Sequence, residues 1–554
     1  MFEINSKPLL QKRQIASVEP NGIFKFISTN YTLKEKLLSV TILITLLQFL
    51  LHLGSINAYG FHQDELLYMA LSEHLSWGYR ETPPFIAFMG ALGKTVFGNS
   101  LTATRIIPAL CAGAIVHLTG VITIRLNGKY LAVIIACTTV AFSPAFLATG
   151  ALFIPQVFDE LFWLLSAYLL ICFVQKGTDK YLYVLGLVIG IGILVKYTIV
   201  IYILGMLFGL SLSDGGRKIW SRKSFYVSIF ISFLVILPHI IWQFQNGFPA
   251  LMHFQELKET QLIYISPIDF TFQQLVVNGT GVFVWLAGIW YLSRNNEFKD
   301  YRFLLWGFII VMTTLVILNG KPYYGFGAFP ALFAIGGIYL ERVFRTFTKT
   351  FKSSFIGVMQ IPNLFLSLVV LPYLPIENAS AVFEWTYTHL NIQFPLKWED
   401  QKIHNMNQNY ADMIGWDELA SKVSRIYLSM DAKQRQQTIF YIEGYGAAGA
   451  ADYYCEQYPL PKIVSLSSSF AMWAPSKINA KNIIFFSTIG NLPAAMKANS
   501  RLVDKINNRF SRVYGEGIYL VKNIHPNAKN WYASQWKKTH YISIDLYKKY
   551  VDVF

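Results

Sequence analysis

Between about residue 37 and about residue 375 the chain is built almost entirely of apolar runs, each close to the roughly 20 residues an α-helix needs to cross a bilayer. No other feature narrows the choice of fold as far. In hydrocarbon every backbone amide must find its partner inside the protein, so such runs fold as a helical bundle. Charged residues make up 14% of the 554 residues, against roughly a quarter in a soluble protein. The deficit is confined to the apolar stretch, and the remaining tail has ordinary soluble character. The expected organisation is a leader, 1–36, an all-α polytopic membrane domain, 37–375, and a smaller extramembrane α/β domain, 376–554.

Spans are expected at about 37–56, 101–124, 130–149, 158–174, 181–195, 198–213, 225–245, 272–292, 303–318, 324–340 and 355–374, about eleven in all. The apolar segment Pro83–Gly98 is short and opens on Pro83-Pro84, so it is read as an interfacial helix. Charge tests that choice. With the N-terminus inside, about 21 lysines and arginines fall on inner segments, and about 5, Arg80, Lys94, Lys196, Lys258 and Lys321, fall on outer ones. A twelfth span at Pro83–Gly98 would invert the bias for every later loop. The N-terminus is therefore expected in the cytoplasm and the tail outside it, which for a bacterial inner membrane means the periplasm. The net charge of +15 follows from this loop pattern, and no nucleic-acid partner is expected. No small-residue cleavage site follows the first apolar run, which is expected to remain as a span. Cys111, Cys137 and Cys172 lie in spans and Cys455 stands alone in the tail, so the tail has no disulfide framework of its own.

This threading brings ionisable groups from remote parts of the chain to one face. Asp64 and Glu65 lie in the first outer loop, Arg105 at the outer start of the second span, and Asp159 and Glu160 at the outer start of the fourth. Lys196 lies in the turn between the fifth and sixth spans, and Lys321 in Asn319-Gly320-Lys321-Pro322-Tyr323-Tyr324 before the tenth. Charge at such depth is costly, so its position is informative. Against that stands the plain alternative that a charge near a span end snorkels to the interface. For Asp64-Glu65 the plain alternative is capping of a short amphipathic helix over 64–77, with Leu67, Ala70, Leu71 and Leu75 as its apolar stripe. Capping explains one acid better than two. A sugar on a lipid phosphate is already activated. Its transfer needs a base for the acceptor proton, a role for a carboxylate, and cations for the departing phosphate.

These residues resemble those of bacterial relatives of the dolichyl-phosphate-mannose protein mannosyltransferases and of the lipid A aminoarabinose transferases, within the GT-C superfamily. The likeness rests on Asp64-Glu65, Tyr68, Pro83-Pro84, Arg105, Asp159, the glycine-rich Gly186–Lys196-Tyr197 segment and Lys321-Pro322-Tyr323-Tyr324. In the tail it rests on Gly415-Trp416-Asp417-Glu418-Leu419 and Tyr445-Gly446-Ala447-Ala448-Gly449-Ala450. It implies a GT-C fold with an outer-face cavity, a polyprenyl-phosphate sugar donor and an extracytoplasmic acceptor, whether glycolipid, polysaccharide or protein. By position it implies Asp64 as catalytic carboxylate, with Glu65 and Asp159 supporting it or contacting the acceptor. Arg105, Lys196 and Lys321 are then phosphate contacts, chosen chiefly by charge and side, with Tyr323 and Tyr324 beside them. Where the aminoarabinose transferases carry Glu-Lys before the proline pair, this chain has Glu81-Thr82, which leaves sugar and acceptor open.

Weaker signals remain. Gly444-Tyr445-Gly446-Ala447-Ala448-Gly449 follows a strand expected over Thr438–Ile442 and opens a helix expected over Ala447–Gln457. No acidic residue follows the next strand near Ile463–Leu466 to hold a ribose, so the motif reads as a tight strand-to-helix turn. His62 with Asp64 is the one pair that leaves a divalent metal open. The loop from Gln245 to about Thr271 is a lid or a solvated interfacial helix. A secondary transporter or a lipid-linked sugar flippase is the competing function. It would place its charges near the midplane and would show an internal repeat, and none is visible.

Overall fold

A computed structural model describes residues 32–488 and 492–551, and no side chain beyond 540. Most of the expected leader, with Lys7, Lys12, Arg13 and Lys25, lies outside the described residues. The first part of the chain forms α1 (Leu33–Ser55), α2 (Gln63–Glu73), α3 (Phe85–Phe97), α4 (Leu101–Arg125), α5 (Tyr130–Ala141), α6 (Pro144–Ala151), α7 (Pro155–Lys176), α8 (Lys180–Val195) and α9 (Ile199–Ser211). Further apolar helices run over Lys223–Gln245, Phe303–Ile317, Pro322–Val343 and Lys349–Val370.

Every expected span coincides with a helix or a bent helix pair. Among the described residues six helices are long and apolar enough to cross a membrane, and up to eight if each bent pair is one span. The expected spans at 181–195, 198–213 and 303–318 fall on shorter apolar helices, as does Pro83–Gly98. At 1.5 Å per residue such helices fall short of a hydrocarbon core about 30 Å thick.

The two bent pairs explain each other. α5 meets α6 at 53°, and Pro267–Val276 meets Gly279–Arg294 at 100°. Both breaks free backbone groups that cannot be left unpaired in an apolar setting. The Ala145 amide donates to the Val277 carbonyl at 3.0 Å, and Ser143 Oγ to Asn278 Oδ1 at 2.9 Å. Asn363 Oδ1 accepts the Thr280 amide at 3.1 Å. Gly279, at φ +53, sits where a Cβ would lie 2.1 Å from that same oxygen, so the bend requires glycine twice over.

Glycines also set how closely the helices approach. The Gly186–Lys196 segment of the sequence motif packs α8 on Lys223–Gln245: a Cβ at Gly186 would lie 2.3 Å from the Ser228 carbonyl oxygen. Gly205 meets the Gly307 Cα in the same manner, and Gly336 and Gly288 seat Phe329–Val343 on Val282–Arg294. The expected lid region forms a helix, Pro249–Thr260, followed by a second, Pro267–Val276.

The tail contains a five-stranded sheet of β1 (Thr438–Glu443), β2 (Lys462–Ser465), β3 (Asn482–Ser487), β4 (Ser500–Lys505) and β5 (Gly517–Val521). Its order is β2-β1-β3-β5-β4, with β1 parallel to both neighbours and the β5 pairings antiparallel. One face packs on the helix Pro526–Val551 through Tyr441, Phe485 and Tyr532. The other packs on helices Trp416–Leu428 and Tyr445–Tyr454, and there the core takes in Phe61, Leu66, Leu67, Ala70 and Leu71. α2, from the segment that follows α1, is thus part of the core of a domain more than 300 residues away in the chain. The amphipathic helix expected over 64–77 ends earlier than its stripe suggests. It stops at Glu73, because Tyr79 Oη binds the Leu71 and His74 carbonyls at 3.1 and 2.9 Å, and Leu75 beyond it is exposed.

A Gly336→Ala substitution would set its methyl 1.9 Å from the Val284 carbonyl oxygen and is expected to cost roughly 1–3 kcal/mol. Gly357→Ala, with only Ile361 Cδ1 at 3.8 Å inside the helix Lys349–Val370, is expected to cost nothing and to add up to about 1 kcal/mol. Thermal unfolding in detergent compares the two.

Candidate functional site

The two adjacent carboxylates of the first loop have separate fates. α2 begins with His62 as its N-cap: the Asp64 amide donates to His62 Nδ1 at 3.1 Å, and Glu65 Oε2 accepts the His62 amide at 2.9 Å. This is a capping box, so the capping alternative accounts for Glu65. Glu65 is fully buried, at 0% exposure, while the Asp64 side chain keeps 35%.

Glu65 also accepts the Phe153 amide at 2.9 Å and is paired with Arg105, whose Nη2 donates at 2.8 Å and Nε at 3.0 Å. The remaining Arg105 donors go to the carbonyls of Ile56 and Ala58, each at 3.3 Å, and Gly60, at 2.7 Å. All five N–H groups of the guanidinium are thereby used. Arg105 was expected to contact a phosphate. In this arrangement it has no donor to offer one, and instead ties the loop after α1 to the start of α2. Burial raises the Glu65 carboxyl, and the Arg105 charge and the three kinds of donor outweigh it, so the group titrates below its ordinary value.

A second group forms at the start of α7. Asp159 accepts from Trp163 Nε1 at 2.8 Å and Thr198 Oγ1 at 2.9 Å, and Glu160 from Thr149 Oγ1 at 3.0 Å. Lys196 donates to Gln156 Oε1 at 2.6 Å and lies over the rings of Tyr324, 4.1 Å from the centroid, and Tyr323, at 5.0 Å. Gln156 Nε2 in turn donates to the Tyr323 carbonyl at 2.8 Å. Lys196 is attracted by Asp159 and repelled by Lys321. Lys321 forms an ion pair with Glu399 at 2.7 Å and also feels the charge of Asp64. Tyr68 feels Asp64, Glu81 and Tyr324 together. The residues singled out in sequence therefore form one electrostatically connected neighbourhood, apart from the self-contained Glu65–Arg105 pair.

The tail reaches this neighbourhood at three points. Tyr445 Oη donates to Asp64 Oδ1 at 2.8 Å, Glu399 pairs with Lys321, and Ser469 Oγ donates to Glu81 Oε2 at 2.8 Å. Asp64 and Lys321 thus belong to the same end of the bundle, the end that carries the tail. Sequence reasoning missed Glu399, Tyr445 and Ser469, because nothing local ties them to the first loop. It also passed over Arg80. This half-buried arginine makes no side-chain hydrogen bond or ion pair with another described residue, yet its charge reaches Glu81 and, together with that of Lys321, His253. Its place directly before Glu81-Thr82-Pro83-Pro84 was the available signal.

The glycine motif is not arranged as a nucleotide site. Gly446 and Gly449 face α2, where a Cβ would lie 2.6 Å from Gln63 Cβ and 2.7 Å from the Leu66 carbonyl carbon. For a metal, His62 Nδ1 already accepts the Asp64 amide, and among the described residues no three His, Cys, Asp or Glu side chains are grouped to hold one.

Arg105→Ala would leave Glu65 buried and unpaired, with an expected loss of about 3–5 kcal/mol in detergent unfolding experiments. Arg80→Ala should shift stability by no more than about 0.5 kcal/mol. The Glu65 contribution should be complete above its ordinary value near 4.5 and should fade as pH falls through its depressed folded value. That acid sensitivity should shrink in Glu65→Gln.

Residues 81–242 match the family model for dolichyl-phosphate-mannose-protein mannosyltransferases. The lipid A galacturonosyltransferase RgtD of Rhizobium johnstonii is 22% identical over 286 residues, 48% of this chain; the chain spans 57% of that relative's length. ArnT from Cupriavidus metallidurans bound to undecaprenyl phosphate superposes with a TM-score of 0.59 at 12% identity, covering 88% of this chain and 98% of ArnT. The apo state gives 0.60, also at 12% identity, over 91% and 99%. The chain is thus a multi-pass membrane protein that resembles the dolichyl-phosphate-mannose-protein mannosyltransferases in sequence over residues 81–242 and ArnT in fold.

Proposed function

We propose that this protein is an inner-membrane glycosyltransferase that moves a sugar from a polyprenyl-phosphate-linked donor to an extracytoplasmic acceptor. Its N-terminus lies in the cytoplasm and residues 376–554 in the periplasm. The donor class is supported by the family match and by the undecaprenyl phosphate bound to the ArnT of like fold. The relative that acts on lipid A favours a glycolipid acceptor over a polysaccharide or protein.

The observation that carries the reading is the division of labour between neighbouring acids. Glu65 is consumed by Arg105 and the helix cap, while Asp64 keeps a partly exposed carboxylate whose charge reaches Lys321. In this mechanism the acceptor O–H gives its proton to Asp64 as its oxygen bonds to the anomeric carbon. The bond from that carbon to the phosphate oxygen breaks, and the charge left on the phosphate meets fixed cations. Arg80, with its guanidinium uncommitted, takes the phosphate role expected of Arg105 and supplies a cation two residues before the position where the aminoarabinose transferases carry lysine. Lys321 and Lys196 complete the positive field. Asp159 holds Lys196 in place, and Tyr323 and Tyr324 flank it.

Purified protein, supplied in detergent with the polyprenyl-phosphate sugars extracted from its native membrane, should transfer sugar to lipid A. Asp64→Asn should lower kcat by roughly 10²–10⁴-fold with unfolding unchanged, the range of a lost general base. Full transfer by that variant would refute the assignment. Transport into vesicles without any transfer would favour the flippase. Arg80→Ala should bind undecaprenyl phosphate roughly ten- to a hundredfold more weakly, as for a lost charge-assisted hydrogen bond.

A further inference from the structure

Asp64 is held from outside the membrane domain. Tyr445, whose hydroxyl lies 2.8 Å from Asp64 Oδ1, is the first residue of the helix Tyr445–Tyr454, directly after β1 and Gly444. Gly444, at φ +118, makes the turn that aims this helix at α2. Gly446 and Gly449 then let the two helices touch. The register is locked by Asp412, which accepts from Gln63 Nε2 at 2.8 Å and from Arg512 Nη1 at 3.0 and 3.1 Å, while its carbonyl accepts the Gln63 amide at 3.0 Å. The residue before Asp64 is thus pinned to the tail through both backbone and side chain. Burial, and then the charge of Asp64, push the Tyr445 phenol well above its ordinary value, so the hydroxyl stays protonated and donates.

A parallel contact comes from the end of β2. Ser469 Oγ donates to Glu81 and accepts the Arg80 amide at 3.0 Å. Both contacts leave the tail at the carboxyl ends of parallel strands, the edge where open α/β sheets ordinarily receive a ligand. Here that edge grips two loop segments of the membrane domain.

We infer that Tyr445 is a positioning residue for Asp64, so that the active site is divided between the membrane domain and the tail. The inference rests on Asp64 being the base. With Oδ1 committed to Tyr445, the carboxylate has one orientation, and Oδ2 is the oxygen that meets the acceptor. The glycine motif serves this docking, since a side chain at Gly449 would push the helix, and Tyr445 with it, away from α2.

The test uses the full-length protein, with lipid-linked sugars of the native membrane as donor and lipid A as acceptor. Tyr445→Phe, Gly449→Ala and Asp64→Asn are assayed together with unfolding temperature. Tyr445→Phe should lower kcat roughly tenfold, at the low end for a hydrogen bond to a charged group, with donor KM within about twofold of wild type. Gly449→Ala should lower kcat in the same sense. Wild-type kcat in Tyr445→Phe, with Asp64→Asn inactive, overturns the positioning role and leaves the base assignment standing. A fall in kcat accompanied by an equal loss of donor binding and of stability marks a merely structural contact and also overturns it. Activity in Asp64→Asn removes the base assignment, and this inference with it.

Discussion

Arg105 and Glu65 are both out of water, and either charge left alone there would cost several kcal/mol, so the two must meet wherever the rest of the chain goes. Their meeting fixes three things at once. It closes the loop after α1 through the carbonyls of Ile56, Ala58 and Gly60. It sets the first turn of α2, because the same carboxylate completes the cap with His62. It joins both to α6 and α7 through the Phe153 amide. Asp64 is one residue from this anchor and points elsewhere, which leaves its side chain partly exposed while Glu65 is fully buried.

α2 is the hinge of the architecture in a compositional sense. Its covalent neighbours are membrane helices, yet its apolar face, Leu66, Leu67, Ala70 and Leu71, completes the core of the tail domain. A separate soluble tail would present this face of its sheet and helices to water. The price of that shared core is a strict demand on surface shape, which is why glycines stand at 446 and 449. The fingerprint that binds a pyrophosphate in dinucleotide enzymes uses glycine for close backbone approach. The same physical property here admits a helix.

Within the bundle, polar side chains repair what bending breaks. Ser143 and Asn278 join the breaks of the two bent pairs; Asn363 takes the freed Thr280 amide, and the Val277 carbonyl takes that of Ala145.

The sequence alone determined the class of fold and named part of the candidate site. Apolar length forces helices, and turn, strand and helix signals in the tail matched β1, β2 and the helix between them to within a few residues, because these depend on local backbone chemistry. Asp64, Asp159, Lys196 and Lys321 were singled out from charge in loops and at span ends, and in the fold the charge of Lys321 reaches both Lys196 and Asp64. Only tertiary structure decided their roles. Asp64 and Glu65 are indistinguishable along the chain, and burial separates them; Arg105 looks like a free cation until its five donors are counted. Tyr445 lies 381 residues from Asp64, and that the Arg80 side chain makes no hydrogen bond or ion pair among the described residues shows only in the fold. Hydrogen-bond saturation and contacts across such separations are properties of packing, which periodicity and charge order along a chain do not encode.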